Sequence, residues 1–260
     1  MKTCVAVVLL LFGGFGLAQV PQQGGPRIQA AYPEAEAAAA WRALAVSYVR
    51  KAIRERKLDN DPAMNARLDA VMAAVGAAVA AIDGRFAGAS WRVILIDDFG
   101  RGAVAFPGEM ILVDTKFVRN LALTDDELAL LLAHEAAHVV AGHASAKLSF
   151  MAEFLGKEKV PTARTALLEF LAKDSYATAF QPKALQQERE ADLIGAAILF
   201  ASGYDTQRAL RLFDKVAELE ALGSGRAADT HDPAGLRKQS VAAVIAELEK
   251  LHARRGPGPR

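Results

Sequence analysis

A chain of 260 residues has room for one domain with a sizeable core or two small ones, and 52% hydrophobic against 23% charged residues fits a compact, Ala-rich, mainly helical protein. With 31 Lys and Arg against 30 Asp and Glu there is no basic surplus, so nucleic acid is not an expected partner. The only cysteine, Cys4, lies at the very start, so the rest of the chain has no thiol for disulfides, Cys nucleophiles or thiolate metal ligands.

The N-terminus reads as a targeting segment. Lys2 supplies a positive charge, Val5 to Phe12 an apolar stretch, and Gly16 and Ala18 the small residues of a cleavage site, so residues 1–18 are expected to be removed after Ala18 and the protein exported. Gly13, Gly14 and Gly16 stop the apolar run well short of the ~20 residues that a spanning helix needs. Residues 19–33, with their Gly, Gln and Pro, read as a flexible leader, residues 34–253 as a single domain and residues 254–260 as a disordered tail.

Two Ala-rich helices come first, Glu34 to Lys57 and Pro62 to Ala81, the second with Asp61 as N-cap and Pro62 at its first position. Three apolar stretches follow, Trp91 to Asp97, Ala103 to Phe106 and Met110 to Asp114, separated by turns at Gly100 to Gly102 and Pro107-Gly108. They predict a small antiparallel sheet, with Met110 to Asp114 as an edge strand that takes up substrate backbone. A helix from Thr124 to about Lys147 comes next. Ser149 to Lys183, with helical runs around Thr162 to Lys173 interrupted by Pro161 and Pro182, reads as a partly mobile cover over the site. Helices are predicted over Gln186 to Ser202, stopped by Gly203, over Thr206 to Leu222, capped by Asp205, and over Pro233 to about His252. Gly223 to Asp232 is a polar loop carrying His231.

Chemistry concentrates in Leu128 to His143, LALLLAHEAAHVVAGH. Thr124 and Glu127 form a capping box, and Asp125 and Asp126 complement the positive end of the helix dipole, so the helix start is well marked. His134 and His138, four apart, lie on one face and can aim two imidazoles at one point. Glu135, beside the first histidine, can take a proton from a metal-activated water. The surrounding Leu, Ala and Val mark a buried helix, where two histidines and a carboxylate need partners, and a divalent metal supplies them.

A catalytic zinc usually has three protein ligands and one open position. His143, five after His138, falls about 140° round a continuous helix and is expected to point elsewhere. A carboxylate from a second helix is the other solution. Glu188 and Asp192 are four apart, and Gly195 continues their face, where a helix-interior glycine allows close approach. Glu188 is thus expected to bind the metal and Asp192 to accept the second N–H of a ligand histidine, fixing its tautomer.

The combination of HEAAH (134–138), EREAD with LIG (188–195) and a Thr-His-x-Pro loop (230–233) resembles the HtpX-like and BepA-like gluzincin metallopeptidases, relatives of the CAAX prenyl protease and of the mitochondrial Oma-type peptidases. The resemblance runs from about Trp91 to Lys250. It implies an α+β, mainly α-helical fold with a zincin-like core, the sheet packed against the HEAAH helix. It also implies a zinc metalloendopeptidase with one Zn2+ per chain, His134, His138 and Glu188 as ligands and Glu135 as base. The family's Asn-Ala-Phe-Ala and Pro-Gly-Gly segments correspond to Gly102 to Glu109 here, with Gly102 for Asn and Glu109 for the second Gly. The family's His-Pro motif with Arg six residues after the His corresponds to His231 and Arg237, with Asp232 in place of Pro.

Its implied setting is envelope protein quality control, on unfolded or misfolded proteins and peptides, membrane-associated substrates included. Placed beside the metal, His231 would either donate to the oxyanion or occupy the open position at rest; Asp232, free to pair with the imidazole, tilts this toward a mobile, switching histidine. The competing class is a metal-binding, chaperone-like envelope factor with a shielded centre.

Overall fold

The computed structural model describes residues 30–222 and 231–255. The expected targeting segment with its cleavage site, residues 19–29, residues 223–230 of the expected polar loop and residues 256–260 of the expected tail lie outside the described residues. The elements are α1 (Glu34–Arg54), α2 (Pro62–Ile82), β1 (Arg92–Ile96), β2 (Ala103–Phe106), β3 (Met110–Asp114), α3 (Thr115–Asn120), α4 (Asp125–Val140), α5 (His143–Leu155), α6 (Ala163–Ala172), α7 (Asp174–Ser202), α8 (Thr206–Ala209), α9 (Arg211–Ala221) and α10 (Ala234–Arg255). The fold is therefore the mainly helical α+β arrangement expected.

Local chemistry accounts for the starts. Asp61 accepts hydrogen bonds from the Ala63 and Met64 backbone behind Pro62, Thr124 and Glu127 bond reciprocally at the head of α4, and Asp205 caps α8. Tyr32, within the supposed leader, is buried, and its hydroxyl donates to the Val160 carbonyl, so the chain is anchored just before α1.

The sheet differs from expectation. Its order is β1-β3-β2, with β1 parallel to β3 and β2 antiparallel to it, so it is mixed and not antiparallel. The link from β1 carries the chain past the place that β3 will fill, and the tight turn at Pro107-Gly108-Glu109 brings β3 back between its two predecessors. β3 is consequently central and not an edge strand, and the edges are β1 and β2. MILVD is apolar at four successive positions because β3 is buried on both faces. Ile111 and Val113 join the core with α2, α4, α7 and α10. Met110 and Leu112 join a second core with α1, α5 and α6. In the turn, Gly108 and Glu109 both have positive φ, 88° and 55°, so Glu109 occupies a left-handed position that glycine fills without strain.

The helical run expected around Thr162 to Lys173 is α6, but residues 149–183 as a whole pack into the core and are not a loose cover. They form the end of α5, all of α6 and the first part of α7, and they bury Phe150, Met151, Val160, Ala163, Leu167 and Phe180 in the second core. α7 runs through Pro182, which is exposed, because Phe180 is held against the rings of Phe150 and Phe170 at 5.1 and 5.8 Å. Tertiary packing outweighs one lost backbone bond there. α2 is long and apolar enough to cross a membrane, with mean hydropathy 1.4, but its large side chains Leu68, Val71, Met72, Val75 and Val79 are buried in the first core.

Two features place the site. The predicted helix to Lys147 ends at Val140, and Gly142, with φ 70°, reverses the chain so that α5 starts afresh at His143. Gly195 brings α7 against α4: a Cβ there would stand 3.1 Å from the backbone N and Cα of His134. Backbone cannot yield as a side-chain tip can, so Gly195→Ala should destabilise the fold by about 1–3 kcal/mol. Thermal or urea unfolding of that variant checks this, and wild-type stability would show that the contact relaxes freely.

Candidate metal centre

α4 contributes His134, Glu135 and His138, and α7 faces it with Glu188 and Asp192. Nε2 of His134 lies 3.2 Å from Nε2 of His138 and 3.2 Å from Glu188 Oε2. Nε2 of His138 lies 3.5 Å from Glu188 Oε1. His231 comes in from the segment before α10, with its Nε2 2.7 Å from Glu188 Oε2. The candidate ligand atoms of His134, Glu188 and His231 all fall within 4.8 Å of one another.

These separations suit a metal. Donors about 2.0–2.1 Å from a tetrahedral ion stand roughly 3.3–3.4 Å from each other, close to the 3.2, 3.2 and 3.5 Å among His134, His138 and Glu188. Oε2 of Glu188 is buried and meets no donor in hydrogen-bond alignment, although two imidazole nitrogens crowd it. A buried carboxylate oxygen left in that condition costs free energy unless a cation completes it. Two imidazoles and a carboxylate, with no thiolate, form a donor set that zinc accepts.

Asp192 occupies the position expected of it. Its Oδ1 lies 2.9 Å from Nδ1 of His134, which leaves Nε2 of that ring turned to His138 and Glu188. Arg237, six residues after His231, grips the same carboxylate with two hydrogen bonds of 2.9 and 2.8 Å. Burial opposes charge on Asp192, yet Arg237 and His134 hold its pKa down at about 2. Burial likewise opposes charge on His134, but Asp192 and Glu188 outweigh it and hold its pKa up at about 9. Burial lowers the pKa of His138, against the pull of Glu188. Burial raises that of Glu188, but His134, His138 and His231 together bring it far below the carboxylate range. Without metal, then, a proton on His134 balances Glu188 at neutral pH, and a metal ion would take over that proton's place at Nε2.

Glu135 is buried beside the metal donors, and its Oε2 accepts a 2.7 Å hydrogen bond from the Ala105 N–H of edge strand β2. Base and sheet edge are thereby joined. Asp232 departs from expectation: it pairs with the Arg189 guanidinium at 2.6 and 3.0 Å and not with the His231 imidazole. His143 departs further. It does not point away; its Nδ1 lies 2.8 Å from Nδ1 of His138, because the Gly142 turn replaces the continuous helix on which the angle was reckoned. Gly after Ala141 was the available signal, since glycine just past a helical run marks a stop.

A buried His-Glu-x-x-His helix joined to a carboxylate from a second helix, with a small sheet edge alongside, defines a metallopeptidase core. The chain belongs to peptidase family M48, whose profile matches residues 62–245. It is 27% identical over 168 residues to the mitochondrial metalloendopeptidase OMA1 of Arabidopsis thaliana, covering 63% of this chain and 33% of that protein. It is 26% identical over 137 residues to the protein of the same name from Saccharomyces cerevisiae, covering 51% of this chain and 39% of that one. The chain thus spans between a third and two fifths of the length of these relatives. Family and relatives support a metal-dependent protease.

Proposed function

We propose that the protein is an exported zinc metalloendopeptidase of gluzincin type, with His134, His138 and Glu188 as ligands of one Zn2+ and Glu135 as general base and then acid. The convergence of the three donor side chains, at the mutual separations that ligands of a tetrahedral ion have, carries the reading. A bound zinc ion supplies the Lewis acidity that makes water nucleophilic near neutral pH and polarises a carbonyl. Glu135 takes the proton from the attacking water and returns it to the leaving amine. Asp192, fixed by Arg237, keeps the His134 ring turned with Nε2 inward.

Substrate backbone adds to β2. The outward N–H of Ala105 is taken by Glu135, and by the period of two Ala103 presents the next outward-facing backbone to a substrate strand. Main-chain pairing of this kind accepts many sequences, which suits unfolded or misfolded proteins and peptides, membrane-associated ones included, in envelope quality control. The test is casein digestion followed by mass spectrometry, with and without a chelator. Chelator-sensitive peptides support the protease; suppressed aggregation of a client without peptides would favour the metal-binding, chaperone-like alternative. For export, N-terminal sequencing of the secreted form should find Gln19, and Met1 would contradict cleavage after Ala18.

His231 is the residue on which activity turns in either direction. Its imidazole touches the ligand carboxylate, and the segment bearing it is tied to α7 through Asp232 and Arg189. An oxyanion donor there contributes about 3 kcal/mol, so His231→Ala would slow turnover with zinc retained. A resting fourth ligand would give the opposite, a rise in basal proteolysis. The contact with Glu188 Oε2 favours the second reading. Initial rates of casein cleavage by the variant decide between them, and unchanged rate and zinc affinity would remove His231 from the site.

A further inference from the structure

Resting on the metal-centre reading above, we infer that His143 and Glu190 are positioning residues that fix His138 in the one tautomer able to bind a metal through Nε2, by a hydrogen-bonded chain running from the ligand ring to the protein surface.

The two ligand histidines have different outer partners. His134 has a carboxylate on its Nδ1, Asp192 at 2.9 Å. Among the described residues the partner of His138 on that side is an imidazole: its Nδ1 meets Nδ1 of His143 at 2.8 Å, with the two rings at 72° to one another. The other nitrogen of His143 lies 3.3 Å from Oε2 of Glu190. The His143 side chain is 7% exposed, whereas that of Glu190 is 55% exposed, so the chain leads from the buried centre to solvent.

Only one polarity is consistent with metal at Nε2 of His138. A neutral imidazole that gives its Nε2 lone pair to a cation carries its proton on Nδ1, and must donate from there. His143 must then accept at Nδ1, which puts its own proton on Nε2, facing Glu190. An ionised carboxylate can only accept, so Glu190 makes that tautomer of His143 the favoured one. If His143 were the donor instead, His138 would keep its proton on Nε2, where the metal belongs. A partly exposed carboxylate thus sets the proton position two rings away.

The backbone builds the chain. On a continuous helix His143 would sit about 140° from His138. Gly142, in the left-handed region at φ 70°, ends α4 and starts α5 one residue later, and the His143 ring turns back onto His138. Glu190 is two residues after Glu188 on α7, so it reaches past the metal donors to His143, and the same helix serves both the metal and the outer chain.

Outer partners of metal-bound histidines typically contribute about 10–100-fold to affinity. The test compares wild type, His143→Leu, His143→Asn and Glu190→Ala by zinc competition against a chromophoric chelator, with imidazole nitrogen NMR of the metal-free proteins. Wild type should show the Nδ1–H form of His138. His143→Leu, which keeps bulk but has no acceptor, should lose about 10–100-fold in zinc affinity and show a shifted His138 tautomer population. His143→Asn, whose side-chain oxygen can still accept, should recover most of the affinity. Glu190→Ala should weaken binding a few-fold.

Wild-type zinc affinity and His138 tautomer in His143→Leu would overturn the chain, as would an Asn variant no better than Leu. Should His143→Leu not fold, the order wild type, His143→Asn, Glu190→Ala still decides: affinity in Glu190→Ala equal to wild type with His138 unaltered would contradict the inference. Failure of the wild type itself to bind zinc would instead contradict the metal-centre reading.

Discussion

Glu135→Gln is expected to lower casein turnover by about 10²–10⁴-fold while leaving zinc content and folding near wild type. The amide has the same shape, and its oxygen can still accept the N–H of Ala105, so the link between α4 and β2 survives. What it lacks is the ability to take a proton from water and return it to the leaving amine. Turnover, metal content and melting temperature measured on one preparation separate these effects. Cleavage at the wild-type rate would remove Glu135 from the chemistry, and a large drop in melting temperature would make its role structural.

Glu188→Ala is expected to lose zinc on dialysis, with a fall in affinity larger than the roughly 10–100-fold typical of outer partners. Glu188 contacts His134, His138 and His231 together, and its removal leaves two histidines without the carboxylate that completes the set. His134 also loses one of the two carboxylates that favour its charged form. Glu190→Ala is the comparison: its carboxylate reaches His143, so its loss should weaken zinc only a few-fold and that variant should still fill when the ion is in modest excess. Equal zinc loss from the two variants would remove the assignment of Glu188 as third ligand.

The sequence made the helix bearing the motif legible because three independent signals agreed: the Thr124 and Glu127 box, the acidic first turn and the His134, His138 spacing. Glu188, Asp192 and Gly195 could be grouped for a similar reason, since they lie on one helical face, and the structure turns that face to His134. Other features depended on contacts that no local pattern encodes. The parallel pairing of β1 with β3 is a choice between two sides of a strand, and short apolar stretches read the same either way. Pro182 signalled an interruption, but the burial of Phe180 carries α7 through it. The angle reckoned for His143 was correct for a helix that did not stop, and one left-handed residue, Gly142, invalidated it. Arg237 carried only its spacing from His231; its grip on Asp192 requires α10 to lie against α7, which is a tertiary fact.

The most direct measurement is a titration of zinc into metal-free protein with casein cleavage followed at each step. No cleavage is expected before zinc is added, then a linear rise and a plateau at about one equivalent per chain, the number of ions that one set of three ligands holds. Cleavage by the metal-free protein at the rate of the zinc-loaded one would contradict this.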